Sequence, residues 1–431
     1  MSFIAKVEAV LFYLFILFLP TQLGKHFWPD FSIVTGIRVD YLSPTFYFTD
    51  VLVGLLFAAW VIKEFQISNQ KKKIGNWILD IRYWIFFLLL FLIVNIIFSH
   101  NLWNGYYHLF KFFELAFVAF YVTTFLKTKE QFRMIVTMFS IGVIGEALLA
   151  FFQYSHQGSI GGILYFLGER TFVGQTPGIA NAAINGQLVL RPYGTFSHPN
   201  VLAGYFVIAL TMIVFSFSSS TAIWRKVLFF LSFTLGTLAL LLTFSRVAIV
   251  LWVLFFIISF ASRLKKQEYR AFFLSAMIVA IFLSSIFLTP LFYRFTQTTT
   301  SEEAFTHREL LTSAAAQMIA NKPIIGVGLG NFLPTLATIQ QPLSASTYFQ
   351  PVHNIFLLVA AETGIIGFAF FMFFIFKTYE RLRQNSYAKV CGFMLSAILI
   401  LGFFDHYFLT LQQGQLLFAL VIGLCWNRIR Q

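Results

Sequence analysis

Apolar residues in this chain run together in long blocks instead of alternating with polar ones, and the blocks set the expected architecture. Twelve of them are long enough to cross a bilayer as helices, near residues 3–20, 46–62, 83–98, 106–126, 132–153, 201–218, 224–243, 247–261, 271–289, 353–376, 387–404 and 407–426. The expected fold is therefore an all-α polytopic membrane protein, a single transmembrane domain over 1–431 with about 12 transmembrane helices. The 224–243 and 247–261 spans are separated only by Thr243–Arg246. Two longer stretches break the short-loop pattern, 154–200 and 290–352, and loops of that length in a compact membrane domain are usually functional. The second is expected to hold a helix, because Ser301-Glu302-Glu303 resembles an N-cap with an acidic first turn and Pro323 follows its end. Phe305, Leu310 and Met318 mark an amphipathic stretch lying on the membrane surface.

The 353–376 block opens with His353-Asn354, and nine residues later comes Gly364-Ile-Ile-Gly367. Read as a helix, it puts His353 at the membrane surface. Leu357, Ala360, Gly364 and Gly367 then fall within roughly 40° of the His353 direction, at about 100° per residue. Ala360 and Gly364 make a small-xxx-small face that would let another helix backbone come close. Glu362 lies on the opposite side and is not expected to partner His353.

Composition agrees with the blocks: 58% of residues are hydrophobic, 19% aromatic and only 11% charged, and mean hydropathy is +0.79. Soluble domains carry about 25% charged residues. The formal net charge of +13 could indicate nucleic acid, but its distribution says otherwise. With the N-terminus inside, 21 basic residues fall on inner loops and 8 on outer ones, which fixes the orientation by the positive-inside rule. The basic charge is topogenic, no nucleic acid is expected, and both 154–200 and 290–352 fall outside. The N-terminal block has one lysine before it and no small-residue cleavage site, so it is expected to be retained. Cys391 and Cys425 sit in late apolar blocks, which argues against a disulfide framework.

On the outer side there is no Asp-x-Asp pair and no His/Cys cluster with metal-ligand spacing, which disfavours a metal unless scattered residues converge. Arginines stand there instead. Arg191 heads RPYGTFSHPN, Arg246 ends TFSR, and Arg308 lies on the expected loop helix. Arginine keeps its charge and grips phosphate bidentately, so several around one pocket suit an anionic lipid headgroup. The plainer reading of each is an interfacial arginine touching lipid phosphate or a loop carboxylate. His353 can be a structural hydrogen-bonder or a base that takes a proton from a hydroxyl. His198 and Asn200 end a Gly-rich approach to a helix, where Asn200 is expected to cap. Gly326, Gly328 and Gly330 lack the Lys-Ser/Thr of a phosphate loop and read as a turn. Lys111 and Glu114, three apart, can pair; with Glu146 they either line an outward cavity or form buried structural contacts.

The order of these motifs resembles a known family. His353-Asn354-x9-Gly364-x2-Gly367 looks like the signature of bacterial O-antigen ligases. RPYGTFSHPNVLAGYF at 191–206, TFSR at 243–246 and the run from Arg308 through PIIGVGLGNF at 323–332 are similar to further blocks of the same superfamily. That superfamily also holds O-antigen polymerases and protein O-oligosaccharyltransferases. The blocks cover 190–376, while the N-terminal third matches in topology only.

The resemblance implies a membrane glycosyltransferase of the GT-C type that takes a glycan from undecaprenyl diphosphate. Transfer would be metal-independent and inverting, without a cofactor, at the periplasmic face of the bacterial inner membrane, with both termini cytoplasmic. His353 matches the family histidine proposed to activate the acceptor hydroxyl. Arg191 and Arg308 match arginines thought to hold the diphosphate, and Arg246 matches the Ser-Arg block. Asn354, His198, Asn200, Lys111 and Glu114 stand as secondary candidates. The expected partners are the lipid-linked donor, membrane lipid and an acceptor, lipid A-core first. A growing glycan chain or a protein hydroxyl is the alternative acceptor. A transporter for the same lipid is the alternative of another class, but the in-span charges cluster in outer halves and mark no through-path.

Overall fold

The computed structural model describes residues 3–34, 36–67, 76–184, 186–216, 221–263, 288–296, 302–339, 349–385 and 387–427, with short pieces between 274 and 285. The helices are α1 (Phe3–Leu17), α2 (Phe48–Ile67), α3 (Asn76–Ile97), α4 (Leu102–Phe125), α5 (Lys129–His156), α6 (Pro199–Ser216), α7 (Ile223–Leu242) and α8 (Arg246–Arg263). They continue as α9 (Leu288–Thr296), α10 (Glu302–Asn321), α11 (Phe332–Ile339), α12 (Ile355–Leu382), α13 (Ala388–Phe404), α14 (Tyr407–Thr410) and α15 (Gln412–Trp426). Three small antiparallel pairs, absent from an all-α expectation, decorate the loops: β1 (Gly24–His26) with β4 (Thr45–Tyr47), β2 (Ile33–Val34) with β3 (Ile37–Arg38), and β5 (Asn181–Ile184) with β6 (Gln187–Leu190).

The chain is mostly helical, and five described helices are long and apolar enough to cross a membrane: α4, α5, α6, α7 and α12. Four shorter apolar stretches accompany them, in α3, α8, α13 and α15. Twelve full-length spans do not appear among the described residues. Several blocks end early, since α15 has 15 residues and α13 has 17. At 1.5 Å per residue these reach about 25 Å or less, short of a hydrocarbon core of ≈ 30 Å. The block at 271–289 lies largely outside the described residues. The narrow gap at 243–246 does separate two helices, α7 and α8.

The core sits around α6, which beyond its first turn is apolar on nearly every side and buried from Val201 to Val214. It packs against α5, α7, α8, α13 and α15. A second, smaller cluster joins Val39 and Leu42 of the first loop to Leu311, Ala314, Ala315 and Met318 of α10 and to Leu358 and Ala361 of α12. The expected loop helix is thus present as α10, but its apolar stripe at helical spacing faces protein and not the membrane surface. Leu310 is exposed, and the side chain of Phe305 and the whole of Ser301 lie outside the described residues.

The 353–376 block departs most from its expected form. Asn354 caps α12, its side chain accepting from the Phe356 and Leu357 amides at 2.9 and 3.1 Å. Ten residues on, Gly364 takes φ 61°, ψ −167° and breaks the helix. A break there strands two carbonyls and two amides, and in hydrocarbon each unsatisfied backbone group costs several kcal/mol. The 323–328 segment supplies all four partners. Val327 and Gly328 N–H donate to the Ala361 and Glu362 carbonyls, both at 2.9 Å, and Ile365 and Ile366 N–H donate to Pro323 and Ile324 at 2.9 and 3.4 Å. A Cβ on Gly364 would fall on the Ile324 carbonyl. The close neighbour at Gly364 is therefore a loop backbone, where the small-xxx-small pattern indicated a second helix.

Candidate functional site

Arg191 follows directly on β6, whose last residue Leu190 is held by Gln157, at the left-handed C-cap of α5. The next residues are fixed from α5 as well. Gln153 accepts from the Tyr193 and Gly194 amides at 2.9 and 2.8 Å, and Glu146 accepts from Thr195 N–H at 2.9 Å and Thr195 Oγ1 at 2.6 Å. The buried carboxylate of Glu146, expected either to line a cavity or to be structural, holds this turn. Arg191 itself is buried; its Nε donates to the Thr243 carbonyl at 2.7 Å and its Nη2 to Asn200 Oδ1 at 2.6 Å. Burial first, and then the Arg294 and Arg246 guanidiniums, push its pKa down to about 9, which leaves it cationic at neutral pH.

Asn200 does not cap α6. The cap is the His198 ring, whose Nδ1 accepts from the Asn200 amide at 3.1 Å, with Pro199 at the first helical position. An accepting ring nitrogen requires a neutral imidazole, and burial followed by the Arg191 charge pushes His198 down to about 3. The Asn200 side chain is thereby free to bridge: it receives Arg191 and donates from Nδ2 to Asp405 Oδ2 at 3.0 Å.

Asp405 is the residue that sequence reasoning missed. It stands between α13 and α14, 52 positions from His353, and its Oδ1 lies 3.4 Å from His353 Nδ1. The same oxygen receives the His406 amide at 2.8 Å. Burial works against the charged carboxylate, yet the His353 hydrogen bond and the surrounding imidazoles hold Asp405 well below the usual carboxylate range. With Nδ1–H turned to Asp405, His353 Nε2 is left as the acceptor, on a side chain 22% exposed. The His406 ring packs 5.0 Å from the His353 ring, and its Nδ1 is taken by Thr410 Oγ1 at 2.6 Å. Burial first pushes His406 down to about 3, against the pull of Asp405 and with help from Arg308.

Arg308 is exposed near the start of α10, yet its charge bears on His406, which places it beside the same cluster. It falls within about 20° of Ala315 on the helix, so it extends the buried stripe by one turn toward the site. Arg246 is half-buried at the first position of α8 and bears on Arg191. Arg191, Arg246, Arg308, His198, Asn200 and His353 thus gather at one end of the bundle. Asn354 serves there as a cap. Lys111 and Glu114 sit apart from them: Lys111 pairs with Glu114 at 2.9 Å and with Asp50 at 2.8 Å, and Gln412 joins at 2.5 Å from Asp50.

His353, Asp405 and His406 also meet a test the linear sequence could not apply. One donor atom from each lies within 4.8 Å of the others, close enough to share a metal ion. The surroundings disfavour a cation, because the Arg191 guanidinium bears on Asp405 and the Arg308 guanidinium on His406. The arrangement is better suited to proton transfer beside a bound anion.

Below the site, the glycine-rich turn is fixed as firmly as the Arg191 loop. Glu362 accepts from the Gly330 and Phe332 amides at 3.0 and 3.2 Å. Asn95 of α3 donates to the Ile325 carbonyl at 2.6 Å and accepts from Leu329 N–H at 2.7 Å. Asn331 accepts from the Asn101 amide at 2.6 Å, and Asn104 donates to the Gly330 carbonyl. Glu362 is, as expected, no partner of His353; its role is to anchor the loop that completes α12.

These features define a class, a polytopic membrane protein with a polar, arginine-rich site at one end of its bundle. Residues 230–372, a third of the chain, match the family model described as O-antigen ligase, and over this stretch the resemblance to that superfamily holds. The match includes Arg246, Arg308 and His353, while Arg191 and Asp405 lie on either side of it. No curated protein matches the chain.

Proposed function

We propose that the protein is an O-antigen ligase-like glycosyltransferase. It transfers an oligo- or polysaccharide from undecaprenyl diphosphate to an acceptor hydroxyl, lipid A-core first, at the extracytoplasmic face of the bacterial inner membrane. The observation that carries this reading is the hydrogen-bonded line from Arg191 through Asn200 and Asp405 to His353, which ties an anion-holding cation and a proton acceptor to one carboxylate.

His353 Nε2 removes the acceptor proton, and the hydroxyl oxygen forms a bond to the anomeric carbon from the face opposite the diphosphate. The carbon–oxygen bond to the diphosphate breaks, and its electron pair leaves with undecaprenyl diphosphate, inverting the anomeric centre. Asp405 orients the His353 ring and stabilises the imidazolium that forms. Charge grows on the leaving diphosphate in the transition state, and fixed guanidiniums stabilise it there without a divalent ion.

The test is transfer by purified protein from a defined glycan-diphosphate-undecaprenol to a panel of lipid A-core, glycan and peptide acceptors, with EDTA present. Transfer that survives EDTA and collapses in His353→Ala supports the reading, and the productive acceptor names the substrate. Loss of transfer on chelation, restored by a metal, would sink the metal-free mechanism. Movement of labelled lipid across liposomes without transfer would sink the enzyme.

A further inference from the structure

Arg294 has no assigned part in the transfer, yet the geometry places it beside the residues that do. The turn between α7 and α8 is bent by Phe244, fully buried with φ 50°, a conformation that a bulky residue rarely adopts. Its two successive carbonyls receive two different arginines. Thr243 O accepts Arg191 Nε at 2.7 Å, and Phe244 O faces Arg294 Nε at 3.4 Å from α9. Two residues further on stands Arg246. Three guanidiniums, from the 191 loop, α8 and α9, are thereby collected around one turn.

Backbone carbonyls carry partial charge only, and the carboxylate that bears on Arg191 is Asp405, reached through Asn200. Neither Arg246 nor Arg294 pairs with a carboxylate among the described residues. Mutual repulsion shows on Arg191 and Arg294, both of which are lowered by burial first and then by neighbouring arginines. Gathering cations in a half-buried place costs free energy unless an anion occupies the space between them. The strained turn is the element that holds them there.

We infer that Arg294 is a third ligand-holding arginine, and that with Arg191 and Arg246 it forms a site for the phosphate groups of a lipid headgroup. Its Nε is spent on the Phe244 carbonyl, which aims the remaining guanidinium N–H groups at the anion. The inference rests on the transferase reading only in taking the donor diphosphate as the natural occupant. An anionic phospholipid headgroup would offer the same chemistry.

The experiment uses full-length protein in phosphatidylcholine nanodiscs, with fluorescent undecaprenyl diphosphate as the probe and inorganic pyrophosphate as competitor. Wild type should bind saturably, with affinity falling as salt rises. Arg294→Ala should weaken binding ~10–100-fold, as expected for losing hydrogen bonds to a charged group, and Arg294→Lys should recover only part of it. Arg38→Ala removes a cation that stacks on Trp28 in the first loop, and it should bind as wild type. Competition by pyrophosphate would identify the donor diphosphate as the occupant. Displacement by phosphatidylglycerol in the disc, lost in Arg294→Ala, would identify the phospholipid. Wild-type affinity in a folded Arg294→Ala or Arg294→Gln overturns the inference. His353→Ala should bind normally, since its ring takes no part in holding the anion. Wild type that binds through Arg294 but transfers to no acceptor refutes the transferase reading and leaves the site standing.

Discussion

Arg191 is held on every side: its loop by Glu146 and Gln153, its Nε by the Thr243 carbonyl, its Nη2 by Asn200, at the entrance to the most buried helix of the bundle. Arg308 bears on His406 from an exposed position on α10, a helix joined to α12 by a small apolar cluster and by the 323–332 loop bonded into the break at Gly364. The first arginine is positioned by its own contacts. The second is positioned by how well another segment is seated. Preorganisation sets how much a charge contributes to a transition state, so the two should differ in size of effect and in what disturbs them.

The sharpest test is Arg191→Ala, which should lower kcat for transfer by about 10²–10³, as loss of one fixed oxyanion donor does. Arg191→Lys should restore little, since a lysine cannot serve the Thr243 carbonyl and Asn200 together. A loss below tenfold would break the comparison. Arg308→Ala should cost less, roughly tenfold and mostly in KM for the donor, because its exposed charge is screened, and Arg308→Lys should keep much of the activity. Equal kcat losses at the two positions would show that Arg308 is as fixed as Arg191.

Gly364→Ala should act on Arg308 from a distance. The new Cβ meets the Ile324 carbonyl in a backbone conformation that disfavours alanine, so activity should drop a few-fold and the melting temperature should fall. A double mutant with Arg308→Ala measures the link: simple additivity of the two losses would mean that the loop does not position Arg308.

The smallest effect is on stability against pH. His198 and His406 are both pushed down to about 3, below the unfolded value near 6.5. Between those values the unfolded chain binds protons that the folded one refuses, so stability is full above about pH 6.5 and falls as pH drops. From pH 7 to 5 the loss should be on the order of 2 kcal/mol for each imidazole. Asp405, held low, takes no part in that window. Melting curves in detergent at the two pH values should show a smaller drop in His198→Asn, which keeps a cap acceptor; an unchanged drop would count against the buried neutral ring.

What the sequence made legible was local. The start and end of α10, the turn at 243–246 and the start of the apolar block that forms α12 each carry their own signal in a few adjacent residues. The missed parts depend on meetings across the chain. Asp405 lies between two apolar blocks and resembles any loop carboxylate until the fold brings it to His353, although an adjacent acid and histidine in so apolar a stretch was a usable hint. Asn200 looked like a cap because Asn before an apolar run usually is one, and the histidine two residues earlier took that place. Gly364 left no trace of a break, since an apolar run with two glycines is equally compatible with a straight span.

The nine residues between Asn354 and Gly364 behave as a measured spacer. One end is pinned by the Asn354 cap and the other by four hydrogen bonds to the 323–328 loop. Adding or deleting a single residue would turn one end against the other by about 100° and shift it about 1.5 Å. Substitution within the spacer can be tolerated wherever packing allows, but a change in its length cannot be absorbed at either end. Residue count alone therefore separates this segment from the apolar helices around it.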